Sequence, residues 1–288
     1  MRVLRRHILR IIAALLLCCA CSKGYVPDRE SSLVVEGWIE DGGYPLVMVT
    51  RSVPTSLETV SSSDLADYIV RWAKVSVSDG DTTVMLTGKA DKDYPTQYLY
   101  TTTKIMGQSG KSYTLEVSYR GASAKAVTMI PEGVKLESLS SRKIDGGGDG
   151  KYYLEATFSD VPGRSDYYRL FSMIRGKETA FTPCFMGTFD DAGMSGTVTC
   201  SVFPGNSIST DGFNPYFIAG DEVRVKLCTM DSSAYAFWKG YDDLVSLSKN
   251  PLFPVTVNPA SNMIGALGYW AGYGCDSAYT VVGEEKLK

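Results

Sequence analysis

The chain has 288 residues, of which 44% are hydrophobic, 21% charged and 11% aromatic, and its formal net charge is -3. This composition excludes a disordered or collagen-like chain. The slightly acidic balance also argues against nucleic-acid binding, which needs basic residues to neutralise phosphates. The length predicts about two domains.

The N-terminus has the features of a secretory signal. Four arginines precede the apolar residues 11–17, and the segment ends in Cys18-Cys19-Ala20-Cys21. The apolar run is too short to span a bilayer, which takes about 20 apolar residues. Ala20-Cys21 resembles a bacterial lipobox, so we predict that residues 1–20 are removed and that Cys21 is lipidated, with Cys18 and Cys19 as alternative registers. Acyl chains on Cys21 would anchor the protein to a membrane without a helix.

The single histidine, His7, lies inside this predicted leader. A processed chain therefore has no imidazole for a Ser-His or Cys-His pair or for metal binding. We predict no catalytic residue, no cofactor and no metal site.

Residues 22–31 are polar and unpatterned, and we interpret residues 21–31 as a lipidated tether. Short alternating β-type runs follow from Leu33 onward. They include a hairpin signal around Asp79-Gly80 and a second one around Arg120-Gly121, which Pro131 closes. This pattern predicts an immunoglobulin-like β-sandwich over residues 32–131.

The second half repeats the β pattern with longer loops, and we predict a larger β-rich domain over residues 132–288. Its one convincing helix runs from about Ser232 to Ser248, where apolar residues recur at spacings of three and four and Asp231 or Ser232 can cap the N-terminus. A last strand is expected at Tyr279 to Val282. The predicted fold class is therefore all-β with a single helix in the C-terminal half.

Four cysteines remain besides the predicted lipid site, namely Cys184, Cys200, Cys228 and Cys275. In an oxidising compartment they can form two disulfides in three connectivities. Buried free thiols are an equally good interpretation. Their spacing contains no C-x-x-C, which argues against zinc or redox chemistry.

Acidic residues gather in two turn-like segments, Asp190-Asp191 and the glycine-rich stretch from Asp145 to Gly150. Both could supply oxygen ligands to calcium, but neither matches the EF-hand spacing. Asp and Gly clusters ordinarily form turns. Paired carboxylates could also serve a glycan hydrolase without histidine.

Aromatic residues are numerous, and they could form a platform for a sugar or peptide ligand. The alternative is that they fill β-rich cores. The strongest platform candidates are Trp38, Trp72, Tyr269, Trp270 and Tyr273, and other members of the group are Tyr98, Tyr100, Tyr216 and Phe217.

Taken in order, several short segments resemble a Bacteroidetes lipoprotein family known as domain of unknown function 4249. The matching pieces are the β-type run from Leu33 to Ile39, Tyr113 to Pro131, Phe158 to Gly163 with Tyr167-Tyr168-Arg169, Gly220-Asp221, and Ser261 to Gly265. The resemblance covers nearly all of the processed chain. It implies a two-domain β-rich lipoprotein, often encoded near TonB-dependent outer-membrane transporters, and it implies no reaction or catalytic residue.

These observations lead us to expect a non-catalytic, lipid-anchored outer-membrane protein that assists a TonB-dependent uptake transporter. The membrane leaflet, cell-surface or periplasmic, stays open. A first alternative is a surface adhesin or fimbria-associated protein that binds an extracellular ligand or assembles by strand addition. A second is a carboxylate-dependent glycan hydrolase.

Overall fold

A computed structural model of the chain describes residues 32–53, 66–94, 96–144, 150–205, 216–248 and 259–284. Strands dominate, and one long helix, α1 (Ser232–Ser248), lies in the C-terminal half. The predicted all-β class with a single helix is thereby confirmed. The strands are β1 (Leu33–Glu40), β2 (Leu46–Arg51), β3 (Lys74–Ser78), β4 (Thr83–Met85), β5 (Thr87–Ala90), β6 (Tyr98–Thr101), β7 (Ser112–Tyr119), β8 (Ala122–Met129), β9 (Leu136–Lys143), β10 (Lys151–Ser159), β11 (Tyr167–Ile174), β12 (Thr182–Asp190), β13 (Thr197–Val202), β14 (Phe217–Ile218), β15 (Glu222–Met230) and β16 (Leu267–Val281).

An eight-stranded sheet, which we call the main sheet, forms the centre of the molecule. Its strand order is β12-β11-β15-β16-β1-β2-β6-β5. All pairs in it are antiparallel except β1 with β16, which run parallel. The burial of β1 alternates strictly along Leu33–Glu40, because the two faces of the sheet meet different layers.

Two smaller sheets cover one face of the main sheet in succession. The first, β4-β3-β7-β8, encloses a core with β1, β2 and β6, in which Val35, Val77, Leu115 and Trp270 are buried. The second, formed by β9, β10, β13 and β14, encloses a separate core with β11 and β15. The molecule therefore has two β-sandwich cores that share one central sheet.

Helix α1 covers the opposite face of the main sheet. Asp231 caps it, because its carboxylate accepts hydrogen bonds from the backbone N–H groups of Ser233 and Ala234 at 3.0 and 2.9 Å. The helix packs on β11, β12 and β16, and its aromatic face forms a third cluster around Trp238. No helix in the described ranges is long and apolar enough to cross a bilayer.

The last strand joins the two halves of the chain. Residues Leu267 to Tyr273 of β16 pair with β1, and residues Tyr273 to Val281 pair with β15. The first core consequently contains Met263 and Trp270, which lie outside residues 32–131. The domain boundary at residue 131 stays a prediction, but the main sheet is continuous across it.

The hairpin β7–β8 and the pair β3–β4 lie where the sequence pattern places them. Strands β5, β6, β12 and β14 were not expected, and β16 begins twelve residues before the predicted start at Tyr279. Glycines interrupt residues 267–274, so this stretch resembles a loop when only apolar alternation is considered. The glycine-rich stretch at 145–149 lies outside the described residues.

Candidate functional site

Three of the five expected platform aromatics are core residues. Trp270 is fully buried, and Tyr269 and Tyr273 expose less than a twentieth of their surface. The Trp270 indole donates to the Tyr113 carbonyl at 2.9 Å inside the first core. Tyr269 and Tyr273 point to the opposite face and contact α1. The expectation that these three present a ligand surface is therefore wrong. Successive side chains of β16 point to opposite faces of the sheet, and other side chains cover both faces at these positions.

Trp38 is half-buried and belongs to the same aromatic layer under α1, where its ring centroid lies 6.1 Å from that of Tyr94. The stacked and edge-on rings of this layer include Phe237 on Tyr269 and Tyr167 on Tyr235. Such ring pairs contribute stability beyond that gained from burying their apolar surface. This layer therefore packs the helix on the sheet.

A buried ion pair lies inside the aromatic layer. Arg169 on β11 is completely buried, and its Nη1 donates to Asp242 Oδ2 on α1 at 2.7 Å and to the hydroxyl of Thr188. The guanidinium also lies over the Trp238 ring, 4.5 Å from its centroid. Arg169 Nε has no hydrogen-bond partner. Removal of these two charges from water therefore costs a large desolvation free energy. This cost is offset only while Arg169 keeps its contacts with Asp242, Thr188 and Trp238.

A second charged group faces this layer from β1. The Glu36 carboxylate accepts a hydrogen bond from the Tyr269 hydroxyl at 3.0 Å. Burial raises the pKa of Glu36 above its usual range, and the hydrogen bond only partly opposes this shift. Burial raises the pKa of Tyr269 as well, with the neighbouring Glu36 charge adding to the shift. Tyr269 is buried under the helix and Glu36 is its partner, so we interpret the pair as a structural feature of this layer.

The cysteines divide into one disulfide and two free thiols. Cys228 and Cys275 are paired neighbours on β15 and β16 and form a disulfide that closes a 47-residue separation. Chain-entropy arguments give such a link about 4 kcal/mol of stabilisation. Cys184 is buried and free, and Cys200 is half-buried and free. Burial raises the pKa of Cys184 to about 12 and that of Cys200 to about 11, so neither is a nucleophile near neutral pH.

Three carboxylates meet where the ends of β10, β11 and β12 approach one another. Oxygen atoms of Asp160, Asp166 and Asp191 lie within 4.8 Å of one another. Arg164 Nε donates to Asp166 at 2.7 Å, and the backbone N–H of Asp166 donates to Asp191 at 2.8 Å. Asp160 Oδ1 is buried without a partner.

The expected pair Asp190-Asp191 is divided between two roles. Asp191 belongs to this acidic group, whereas Asp190 accepts a hydrogen bond from the Tyr235 hydroxyl of α1 at 2.7 Å. Oxygen groups of this kind suit hard cations. Arg164 already neutralises part of the charge, and we assign no metal to this group.

Trp72 is by far the most exposed of the five candidates, with 87% of its surface accessible to solvent. It lies in the segment Val70–Ala73, which we call the Trp72 loop. The Tyr100 hydroxyl accepts from the Ala73 N–H at 2.9 Å and donates to the Val70 carbonyl at 2.7 Å. The Tyr98 hydroxyl donates to the Arg71 carbonyl at 3.0 Å.

Two tyrosines therefore hold three backbone groups of the loop, and the indole projects from a fixed backbone. Tyr98 itself packs over Gly88, where a Cβ atom would lie 2.2 Å from its hydroxyl oxygen. Tyr98 and Tyr100 were expected as platform members, and the structure gives them this supporting role. A rigid, exposed tryptophan is typical of binding surfaces, since little conformational entropy is lost when it is covered.

Phe217, also expected in the platform group, is fully buried in the second core, so that expectation is wrong. The other sequence predictions fall outside the described residues or were incomplete. Cys21 and the leader precede Ser32, where the description begins.

Arg169 and Asp242 were not singled out, because each has the spacing of an ordinary surface charge and only the crossing of α1 over β11 buries them. The acidic group was missed because its members come from two separate connections, Asp160 and Asp166 from the one between β10 and β11 and Asp191 from the one after β12.

Comparison with known protein families gives a match over most of the chain. A family model with the description "Domain of unknown function (DUF4249)" matches residues 24–278. No curated protein matches the chain.

Proposed function

Because the chain belongs to the DUF4249 family, whose description assigns no activity, we propose a function from the features of the chain itself. We propose that it is a non-catalytic lipoprotein, exported and anchored at the outer membrane through acyl chains on Cys21, and that it assists a TonB-dependent transporter by binding. The leader, Ala20-Cys21 and the polar segment 22–31 come in the order that such a lipoprotein requires.

The Cys228–Cys275 disulfide is the observation that carries the proposal. Disulfides persist in oxidising compartments outside the cytoplasm and are rare within it. Its cysteines are cross-strand partners at the centre of the main sheet. This supports an exported protein, independently of the leader.

The binding role is supported by a contrast in exposure: the groups that could react chemically are buried or half-buried, whereas an aromatic side chain suited to binding is exposed. The free thiols at 184 and 200 have raised pKa values, and the buried Arg169–Asp242 pair is enclosed by α1. The exposed Trp72 on its fixed loop, by contrast, is suited to contact another surface. The association with a transporter rests on the family resemblance alone.

Replacement of Cys21 by Ala should abolish acylation. We expect the wild-type chain to incorporate a labelled fatty acid in the producing bacterium and the C21A variant to incorporate none, because the thiol is the attachment point. Replacement of Cys18 by Ala is the control for the alternative register and should leave labelling unchanged. Continued labelling of the C21A variant would contradict the anchor assignment.

Purification from detergent-solubilised outer membranes tests the accessory role. We expect mass spectrometry to identify a TonB-dependent barrel in stoichiometric amount with the tagged protein. Recovery of the protein alone would contradict the transporter association.

A free strand edge supports the adhesin alternative. Within the described part of the chain, β13 is an edge strand that pairs with β10 on one side. Edge strands offer backbone groups for strand addition by another chain. Co-purification with filament subunits, or filaments formed by the purified protein, would favour this alternative over the transporter accessory.

A further inference from the structure

We propose that one end of the first sandwich docks on the bilayer to which the lipid is anchored, with the Trp72 indole at the level of the phospholipid headgroups. We call this the tether end. Its basic and aromatic residues are Arg51, Tyr68, Arg71, Trp72, Lys74, Tyr119 and Arg120. The occupant of this surface is a phospholipid bilayer with anionic headgroups. The inference rests on the proposed lipid anchor at Cys21.

The strand register places the tether at this end. β1 begins at Leu33, directly after the predicted tether, and Leu33 pairs with Arg51 at the end of β2. The Arg51 N–H donates to the Tyr68 carbonyl at 2.8 Å, and Thr50 bridges Ile69. The Trp72 loop follows these residues directly, so it lies close to the point where the tether joins the sheet.

The β7–β8 hairpin brings its tip to the same end. Lys74 pairs with Ser118, next to the tip residues Tyr119 and Arg120. On the other side of the tip, the carbonyl of Ser123 lies against Gly265. Leu267, two residues later, pairs with Val34 at the start of β1.

The two ends of the sandwich differ in charge. Among described residues, the tether end carries four basic groups, Arg51, Arg71, Lys74 and Arg120, against the single carboxylate of Asp67. The opposite end, after Glu40 and Ser78, carries Asp41, Asp79, Asp81 and Glu132 against Lys104 and Lys111. Lys89 of β5 and the turn that follows it carry two lysines and two aspartates together, so this hairpin adds no net charge.

This basic end stands out because the whole chain is negative, at -3. A basic residue close to an anionic bilayer strengthens binding about fivefold. The charge asymmetry therefore orients the molecule with its tether end toward anionic headgroups and its acidic end away from them.

Trp72 has the properties of a membrane-interface residue. Tryptophan is enriched at the bilayer–water interface, where its ring meets the acyl boundary and its N–H meets water. The ring is 87% exposed, and the loop that carries it is held by Tyr98 and Tyr100. Ile264, 77% exposed and next to Gly265, adds an apolar side chain at the same end.

The length of the tether makes this contact available. Ten residues, 22–31, separate Cys21 from Ser32. Ten residues span at most about 36 Å, which sets the largest distance between Cys21 and the start of the sheet. The tether end thus remains within reach of the headgroups, and its effective concentration at the surface is high.

Fluorescence quenching in vesicles tests the inference. The lipidated full-length protein, extracted from membranes and checked for the acyl group by intact mass, is reconstituted into vesicles of phosphatidylglycerol and brominated phosphatidylcholine. Of the four tryptophans, Trp238 and Trp270 are buried and Trp38 is half-buried. We expect the bromolipid to quench the wild-type protein, and we expect W72F to lose most of that quenching.

Two matched variants control for position and charge. In the W72F background, Y279W places a tryptophan near the other end of β16, twelve residues after Leu267 or roughly 40 Å along the strand, and it should remain unquenched. The double variant R71E/R120E should weaken quenching in these anionic vesicles. Arg175, which is exposed near Tyr279, provides the control R175E, which should not.

The outcomes separate this inference from the proposed function. Absence of the acyl mass would overturn the lipid anchor and the docking with it. An acylated protein that shows equal quenching for wild type and W72F would overturn the docking alone. Protection of Trp72 from N-bromosuccinimide by a co-purified barrel, without quenching in vesicles, would assign this surface to a protein partner and also overturn it.

Discussion

Replacement of Asp242 by Ala should lower the free energy of unfolding by about 3 to 5 kcal/mol, because it leaves the buried Arg169 guanidinium without its counter-charge. In a protein of this size, the loss corresponds to roughly 10 °C in Tm. Urea unfolding followed by circular dichroism measures the effect. We expect the transition midpoint to fall while its slope stays the same.

A neighbouring pair on the same helix provides the control. Lys239 and Asp243 form an exposed ion pair at 2.8 Å, and replacement of Asp243 by Ala should cost only about 0.5 kcal/mol. The double variant R169M/D242L removes both buried charges and should regain most of the stability lost in D242A. A D242A variant as stable as D243A would contradict this account of Arg169.

Replacement of Gly274 by Ala should destabilise the protein by about 3 kcal/mol, since a Cβ atom there would lie 2.2 Å from the Pro131 carbonyl oxygen and 2.6 Å from the Gly133 nitrogen. Both neighbours are backbone atoms of the segment that follows β8 and crosses β16. They cannot move without separating this segment from the strand. Equilibrium unfolding in urea measures the loss.

The same substitution, glycine to alanine, is expected to raise the free energy of unfolding at another position in the chain. Gly240 lies in α1, and the nearest atom to a Cβ built on it is 3.6 Å away. Replacement of Gly240 by Ala should raise stability by about 0.5 to 1 kcal/mol, because alanine is the better helix former. A G274A variant as stable as wild type would show that the crossing segment is free to move away from β16.

Local patterns in the sequence predict the regular elements well. The bounds expected for α1 agree with the structure, and the β7–β8 hairpin follows directly from its Arg120-Gly121 turn. Each of these elements has a strong apolar period and clear terminal residues, so the pattern alone is sufficient. The class of the fold follows from them.

The parts that sequence could not predict depend on contacts between distant segments. Strand β16 contains glycines at 268, 272 and 274, where neighbouring backbone comes too close for a side chain, and a local pattern assigns such positions to loops. The aromatic residues show the same limit. Trp72 and Trp270 are the same residue type, and only their placement makes one exposed and the other a core residue.

The parallel pairing of β1 with β16 has a consequence for biosynthesis. If the chain is exported from its N-terminus, β1 emerges first, yet one of its two neighbours in the sheet is formed by residues 267–273. The first core stays open over more than two hundred intervening residues, because it also needs Trp270. Contacts so distant in sequence form slowly, and the unpaired edge of β1 invites wrong partners meanwhile. For an exported chain, the completion of translocation would therefore set the earliest moment at which the first core can close.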